Sequence, residues 1–183
     1  SSFLIFYKLT GKNMKNPFDT PERIAFREQL KNFVDKEIKP FVNDWDEAGV
    51  IPWELHQKAG DLGIWGFGID EKYGGLGEDD SFLRAIYNEE FAKCGAGGVG
   101  AAMGGRMISL EPIQRLCSTE IKDRVLTDIV SGKKGSSLGI TEPGGGSDVA
   151  NMKTTAKRDG NHFVINGSKT FITGAMTSDY FVV

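Results

Sequence analysis

The chain is expected to fold as an α+β protein, with an all-α helical domain over residues 17–134 and a partial antiparallel β domain over residues 135–183. Three observations predict this. Apolar residues recur at helical spacing from Leu30 to Val130, the dipeptides Asp159-Gly160 and Asn166-Gly167 break the C-terminal part into short segments, and the pattern changes character near residue 135. Residues 1–16 are set apart as an N-terminal extension of non-native character. Its apolar run, Phe3 to Phe6, is too short to span a membrane and unlike a secretory signal in its flanks, and Met14 is a candidate natural start.

The helices follow in order. Thr20 before Pro21 has the form of an N-cap with proline in the first turn, where its missing N–H is not needed. Ile24, Leu30, Phe33, Val34 and Ile38 then form a buried stripe on a helix reaching about Lys39, which Pro40 ends or bends. Pro52 opens a shorter helix with Trp53, Leu55 and Ala59, and Gly60 and Gly63 stop it. Gly74, Gly75 and Gly77 mark a loop, after which Asp80 or Ser81 caps a helix carrying Phe82, Leu83, Ile86, Tyr87 and Phe91. Residues 95–105 are crowded with small side chains. Glycine inside a helix costs roughly 1 kcal/mol against alanine, so the run needs a reason. Close packing against another helix is the first reading, and close approach of a ligand chain is the second. Ser118 or Thr119 caps a further helix with Ile121, Val125, Leu126, Ile129 and Val130 inward. Beyond Gly135, strands are expected at Ser136–Thr141, 152–158, 162–166, Lys169–Thr173 and in the closing "DYFVV".

Composition excludes several function classes. With 183 residues the chain can bury roughly 70% of its unfolded surface, so a sizeable core is available. A net charge of -3 supplies no basic face of the kind that nucleic-acid binding uses. Cys94 and Cys117 are too few for a disulfide framework, lack metal-ligand spacing and are expected to be free thiols. His56 and His162 stand far apart with no ligand cluster, so no metal site is assigned.

The segment from Leu138 to Thr173 carries the chemistry. Pro143 holds Glu142 extended, Gly144, Gly145 and Gly146 let backbone N–H groups approach a ligand, and Thr141 and Ser147 flank them with hydroxyls. Phe171 offers an aromatic face and Thr173 another hydroxyl. A planar polar ring with a phosphate tail suits this set. The dinucleotide fingerprint GxGxxG is absent from a strand–turn–helix setting, and so is GxxxxGK[ST].

Four motifs in order, "TPERIAFREQLKNFVDKEIKPF", "YGGLG", "TEPGGGSD" and "INGSKTFIT", closely resemble those of the acyl-CoA dehydrogenase family, from about residue 17 to 183. The family fold is a helical domain, a middle β domain and a C-terminal helical bundle, of which this sequence resembles the first and the start of the second. The resemblance implies FAD as cofactor, an acyl-CoA substrate, an electron-transfer flavoprotein as acceptor, and a homo-oligomer for the full-length parent. It implies formation of a 2,3-enoyl-CoA by α-proton abstraction and β-hydride transfer to flavin N5, in fatty-acid β-oxidation. By the same resemblance the backbone of Leu138 and Ile140 and the Thr141 hydroxyl border the flavin ring, and Gly146 belongs to its binding turn. Ser147 faces the pyrophosphate and the CoA portion of the substrate, while Phe171, Ile172 and Thr173 flank the isoalloxazine, Thr173 near N5. Phe171 stands where the family often has tryptophan, and Gly174 where asparagine is common.

The family's carboxylate base comes from the C-terminal bundle, so no catalytic residue is assigned here, and the chain alone is expected to be inactive. Glu89 and Glu90 are expected to be surface charges rather than a replacement base. An acyl-CoA oxidase or nitroalkane oxidase of the same fold, or a non-catalytic truncated module, would share these motifs. A bacterial cytoplasm or a mitochondrial matrix would suit the family's chemistry.

Overall fold

The structure is a computed structural model that describes residues 16–77 and 79–183. The expected extension lies outside the described residues apart from Asn16. Helix α1 (Pro21–Phe33) begins as the sequence indicates, with the Thr20 hydroxyl accepting from the Arg23 amide at 3.3 Å. Leu30, Phe33, Val34 and Ile38 are buried, but Ile24 is 50% exposed. At about 100° per residue it stands roughly 120° away from Leu30 and leaves the stripe.

Pro40 bends the chain rather than ending the helix. Residues Val34–Ile38 form a widened turn in which the Lys39 amide donates to Val34, five residues back. The inserted residue relieves the clash that a proline ring makes with the carbonyl four residues earlier. A tight turn (Lys39–Phe41) and α2 (Val42–Ala48) continue the path until Gly49 stops it at φ +66. Helix α3 (Trp53–Asp61) follows, then α4 (Ser81–Ala92), capped by Asp80 through the Phe82 amide at 2.8 Å. Helices α5 (Gly97–Leu116) and α6 (Thr119–Val130) complete this part, α6 capped by Ser118.

These helices close over a core in which Leu30, Ile38, Ile64, Trp65, Met103, Leu110, Leu126 and Ile129 are almost fully buried. Ile121, expected inside, is 38% exposed, and Phe82 on α4 is 40% exposed. The "YGGLG" segment is a packing device. Leu76 and Gly77 donate to the carbonyls of Gly66 and Ile69 at 2.8 and 2.9 Å, and a Cβ on Gly75 would lie 1.9 Å from the Ile69 carbonyl oxygen.

The β region is small. Strands β2 (Thr155–Asp159) and β3 (His162–Asn166) form the expected antiparallel hairpin, with Gly160 at φ +59 as the first of two loop residues. Strands β1 (Ser136–Leu138) and β4 (Tyr180–Val182) instead pair in parallel, Ser136 opposite Tyr180. Their long connection makes this possible, since a tight turn joins only antiparallel strands. Lys169–Thr173 is not a strand, because the chain turns at Phe171. No helix among the described residues is long and apolar enough to cross a membrane.

Candidate functional site

Segments 138–141 and 169–173 run side by side. The Thr170 amide donates to the Thr141 carbonyl at 2.9 Å, and Lys169 Nζ donates to the Ile140 carbonyl at 3.0 Å. Glu142 braces the junction. Its buried carboxylate accepts from the amides of Lys153 and Thr154 at 2.6 and 2.9 Å and from Lys169 Nζ at 2.9 Å. The Thr154 hydroxyl beside it, these two amides and the Lys169 ammonium hold its carboxyl at about 2, well below the ordinary carboxylate range.

The turn beyond is tight, with the Glu142 amide on the Gly145 carbonyl at 2.9 Å and the reverse bond at 3.0 Å. None of Gly144, Gly145 and Gly146 has a positive φ. A Cβ on Gly144 or Gly145 would meet nothing within 4 Å, and one on Gly146 would meet only the Thr141 side chain, at 3.3 Å. Neither backbone conformation nor internal packing therefore demands glycine at 144 and 145. An open backbone there favours a close visitor.

Phe171 has φ 56, a left-handed conformation that is uncommon for residues other than glycine, and its ring is 92% exposed. Such strain gathers at ligand sites. The Thr173 carbonyl accepts from Ser137 Oγ at 2.7 Å, which ties the turn to β1 and leaves the Thr173 residue exposed. Leu138, Thr141 and Ile172 are half-buried, Ile140 is 36% exposed, and Gly146 and Ser147 are exposed on the outer turn. The wall is open and one-sided. A flat heterocycle with a phosphorylated tail fits it, having an aromatic face, hydroxyls at Thr141 and Thr173, and a side-chain-free turn to meet.

A cleft of about 590 Å³ adjoins this wall. Helix α5 forms one side through Gly97, Gly98, Val99, Ala102 and Gly105, with Val42, Trp45 and Val50 among the other lining residues. The small-residue run does not pack against another helix at Gly97, Gly98, Gly100 or Gly104, where an added Cβ would meet nothing within 4 Å. Gly105 is the exception: a Cβ there would lie 3.1 Å from the Thr173 methyl group. Thr173 thus borders both the wall and the cleft.

Of the residues singled out from sequence, Leu138, Ile140, Thr141, Gly146, Phe171, Ile172 and Thr173 lie on the two neighbouring segments and their turn, whereas only Thr173 also lines the cleft. Glu89 and Glu90 line no part of it; Glu90, expected at the surface, is 1% exposed because Arg27 and Lys93 both pair with it at 2.7 Å, while the exposed Glu89 is held by Arg27 at 2.6 Å. The sequence did not reveal the Glu142–Lys169 brace or the place of His56 and Arg106, both buried, in the cleft lining. For Arg106, its place on the apolar face of α5 was the available signal.

The family model for the acyl-CoA dehydrogenase N-terminal domain matches residues 20–133, and that for the middle domain matches residues 137–183. The chain belongs to the acyl-CoA dehydrogenase family. It is 34% identical over 176 residues to the mitochondrial long-chain specific acyl-CoA dehydrogenase of Rattus norvegicus, covering 96% of this chain and 40% of that protein. A probable acyl-CoA dehydrogenase structure from Mycobacterium abscessus superimposes with a TM-score of 0.83 at 38% identity, covering 90% of this chain and 44% of that one. A glutaryl-CoA dehydrogenase from Mycobacterium smegmatis, solved in complex with FADH2, gives 0.82 at 30% identity over 90% of this chain and 42% of that one. The chain therefore spans less than half the length of these relatives.

Proposed function

We propose that the protein built on this chain is a flavin-dependent acyl-CoA dehydrogenase, with its helical domain at 17–134 and the flavin-binding start of its middle domain at 135–183. The observation that carries this reading is the position of Thr173, an exposed hydroxyl on the shared edge of the wall and the cleft. Bound FAD would supply the acceptor for the β-hydride of the acyl thioester. Leu138, Ile140, Thr141, Phe171 and Ile172 would hold the ring, and the Thr173 hydroxyl would supply a hydrogen-bond donor to it. Gly146 and Ser147 would meet the pyrophosphate, and Ser147 the CoA portion of the substrate as well.

The glycines of α5 leave the cleft open for the acyl chain, and each methylene buried there contributes about 0.8 kcal/mol. Glu89 and Glu90 are held by Arg27 and Lys93 away from the cleft, so neither takes the α-proton; the family resemblance puts that carboxylate in the C-terminal bundle. On this reading the chain alone is catalytically silent and holds FAD weakly, because it supplies only part of the pocket. Electrons pass onward to an electron-transfer flavoprotein, in a mitochondrial matrix or a bacterial cytoplasm, and the full-length protein is a homo-oligomer.

Anaerobic addition of a saturated acyl-CoA to the FAD-loaded full-length protein should bleach the flavin absorbance and yield a 2-enoyl-CoA. Thr173→Val should slow the bleaching by about tenfold or more. Flavin that binds yet stays oxidised with acyl-CoAs of every length contradicts the proposal. Oxygen consumption during turnover would move the assignment to an oxidase.

A further inference from the structure

Arg106 has a burial that the acyl-CoA reading leaves unexplained. It lies on α5 at 5% exposure and lines the cleft. Its guanidinium carbon stands 4.2 Å from the Trp53 ring centre and 5.8 Å from that of Trp65, and Nη1 donates to the Lys134 carbonyl at 3.2 Å. Among the described residues no carboxylate pairs with it. Asp179, the acidic group that acts on it from a distance, is engaged by Lys134 Nζ at 2.8 Å and the Gly135 amide at 2.9 Å. Burial lowers the guanidinium pKa to about 10, so Arg106 is charged at neutral pH. Two ring faces and one carbonyl leave that charge poorly compensated.

His56 lines the same cleft at 6% exposure, and its Nδ1 has no hydrogen-bond partner. Burial and the neighbouring Arg106 hold its pKa at about 4, so the imidazole is neutral and adds no second charge. Ser136, at 3% exposure, lines the cleft as well. These buried polar groups form the floor, whereas Gly97 and Gly98 are exposed at the rim with Asp46, the lining residue of opposite charge.

We infer that the floor of the cleft binds a carboxylate at the far end of the acyl chain, so that Arg106 and His56 select an acyl-CoA derived from a dicarboxylic acid. This rests on the cleft being the acyl site. A carboxylate arriving beside Arg106 makes charge-assisted hydrogen bonds in a water-poor setting and supplies the missing counter-charge. A plain acyl chain ends in a methyl group and leaves the guanidinium as it was. Arg106 is thus a specificity-determining residue for the distal end of the substrate.

The tryptophans beside Arg106 provide the readout. The purified chain is titrated with hexanoyl-CoA and adipoyl-CoA, which have equal chain length and differ in a terminal carboxylate, while intrinsic fluorescence is followed. Adipoyl-CoA should bind at least about tenfold more tightly. Arg106→Met should erase the preference by weakening adipoyl-CoA far more than hexanoyl-CoA, whereas Arg106→Lys should keep part of it; a merely structural role would weaken both ligands alike. Equal affinities in the unsubstituted chain overturn the inference while the acyl cleft stands. Absence of binding by both thioesters removes the cleft reading, and the inference with it. Both of these outcomes are read without any variant, so they hold even if Arg106→Met fails to fold.

Discussion

Leu126 on α6 is fully buried, whereas Phe163 on β3, at least as apolar, is 65% exposed. The contrast runs through the molecule. The helical region closes over a continuous apolar core, while both faces of the β2–β3 hairpin are exposed, Val164 at 46% and Ile165 at 56% included. Tyr180 and Val182 of β4 pack on that core, and discrete polar clamps position the rest of the β region. Ser109 Oγ meets Ser136 Oγ at 2.6 Å, Ser137 Oγ reaches the Thr173 carbonyl, and Glu142 ties Lys169 to the amides of Lys153 and Thr154. Packing sets the stability of the first region, and hydrogen-bond geometry sets the shape of the candidate flavin wall in the second.

Truncating each region at an apolar residue should show the contrast most strongly. Leu126→Ala should lower global stability by about 2–5 kcal/mol, while Phe163→Ala should lower it by less than about 1 kcal/mol, both read by urea unfolding. Equal losses would mean that the hairpin is packed in solution.

Acid should separate the two regions. The pKa of His56 is held at about 4 in the fold against an ordinary 6.5, so the unfolded chain takes up its proton first as pH falls. Stability should drop between these values, by on the order of 3 kcal/mol in total, and His56→Gln should flatten that slope. Glu142 behaves differently: its contribution is present above its ordinary 4.5 and is lost only as pH falls toward about 2. At pH 4, amide exchange should therefore quicken in the helical core while the Lys153 and Thr154 amides stay protected.

The clamps should have smaller and more local effects. Ser109→Ala leaves the Ser136 hydroxyl buried without its partner and should cost about 1–3 kcal/mol in thermal unfolding. Glu142→Gln should leave the helical core intact and speed exchange at Lys153, Thr154 and Thr170, the amides that hold the turn.

The same contrast decides what could be read from sequence. The cap at Thr20, the cap at Asp80 or Ser81 and the hairpin turn at Gly160 were legible because each is a local rule satisfied by neighbouring residues, although the loop falls one residue later, at Gly160-Asn161, than the Asp159-Gly160 pair indicated. Helix α5 was not. Its glycines and Pro112 argue against helix locally, and tertiary burial of Val99, Met103, Arg106, Leu110 and Ile113 along one face outweighs them. The run at 95–105 suggested helix packing, yet its glycines open onto a cleft, a distinction that depends on what lies opposite. Glu142 and Lys169 are 27 residues apart, so no short-range pattern links them. Lys169–Thr173 had the composition of a strand, but the Thr170–Thr141 bond and the left-handed Phe171 turn it instead.

The central claim is that residues 138–147 and 171–173 form a surface for a flavin. Amide spectra of the isotopically labelled chain, recorded during titration with FAD, test it most directly. The account predicts saturable shifts at Leu138, Thr141, Gly146, Ser147, Ile172 and Thr173, with the α6 amides unmoved. Unshifted amides at these positions, or shifts gathered elsewhere in the chain, would contradict it.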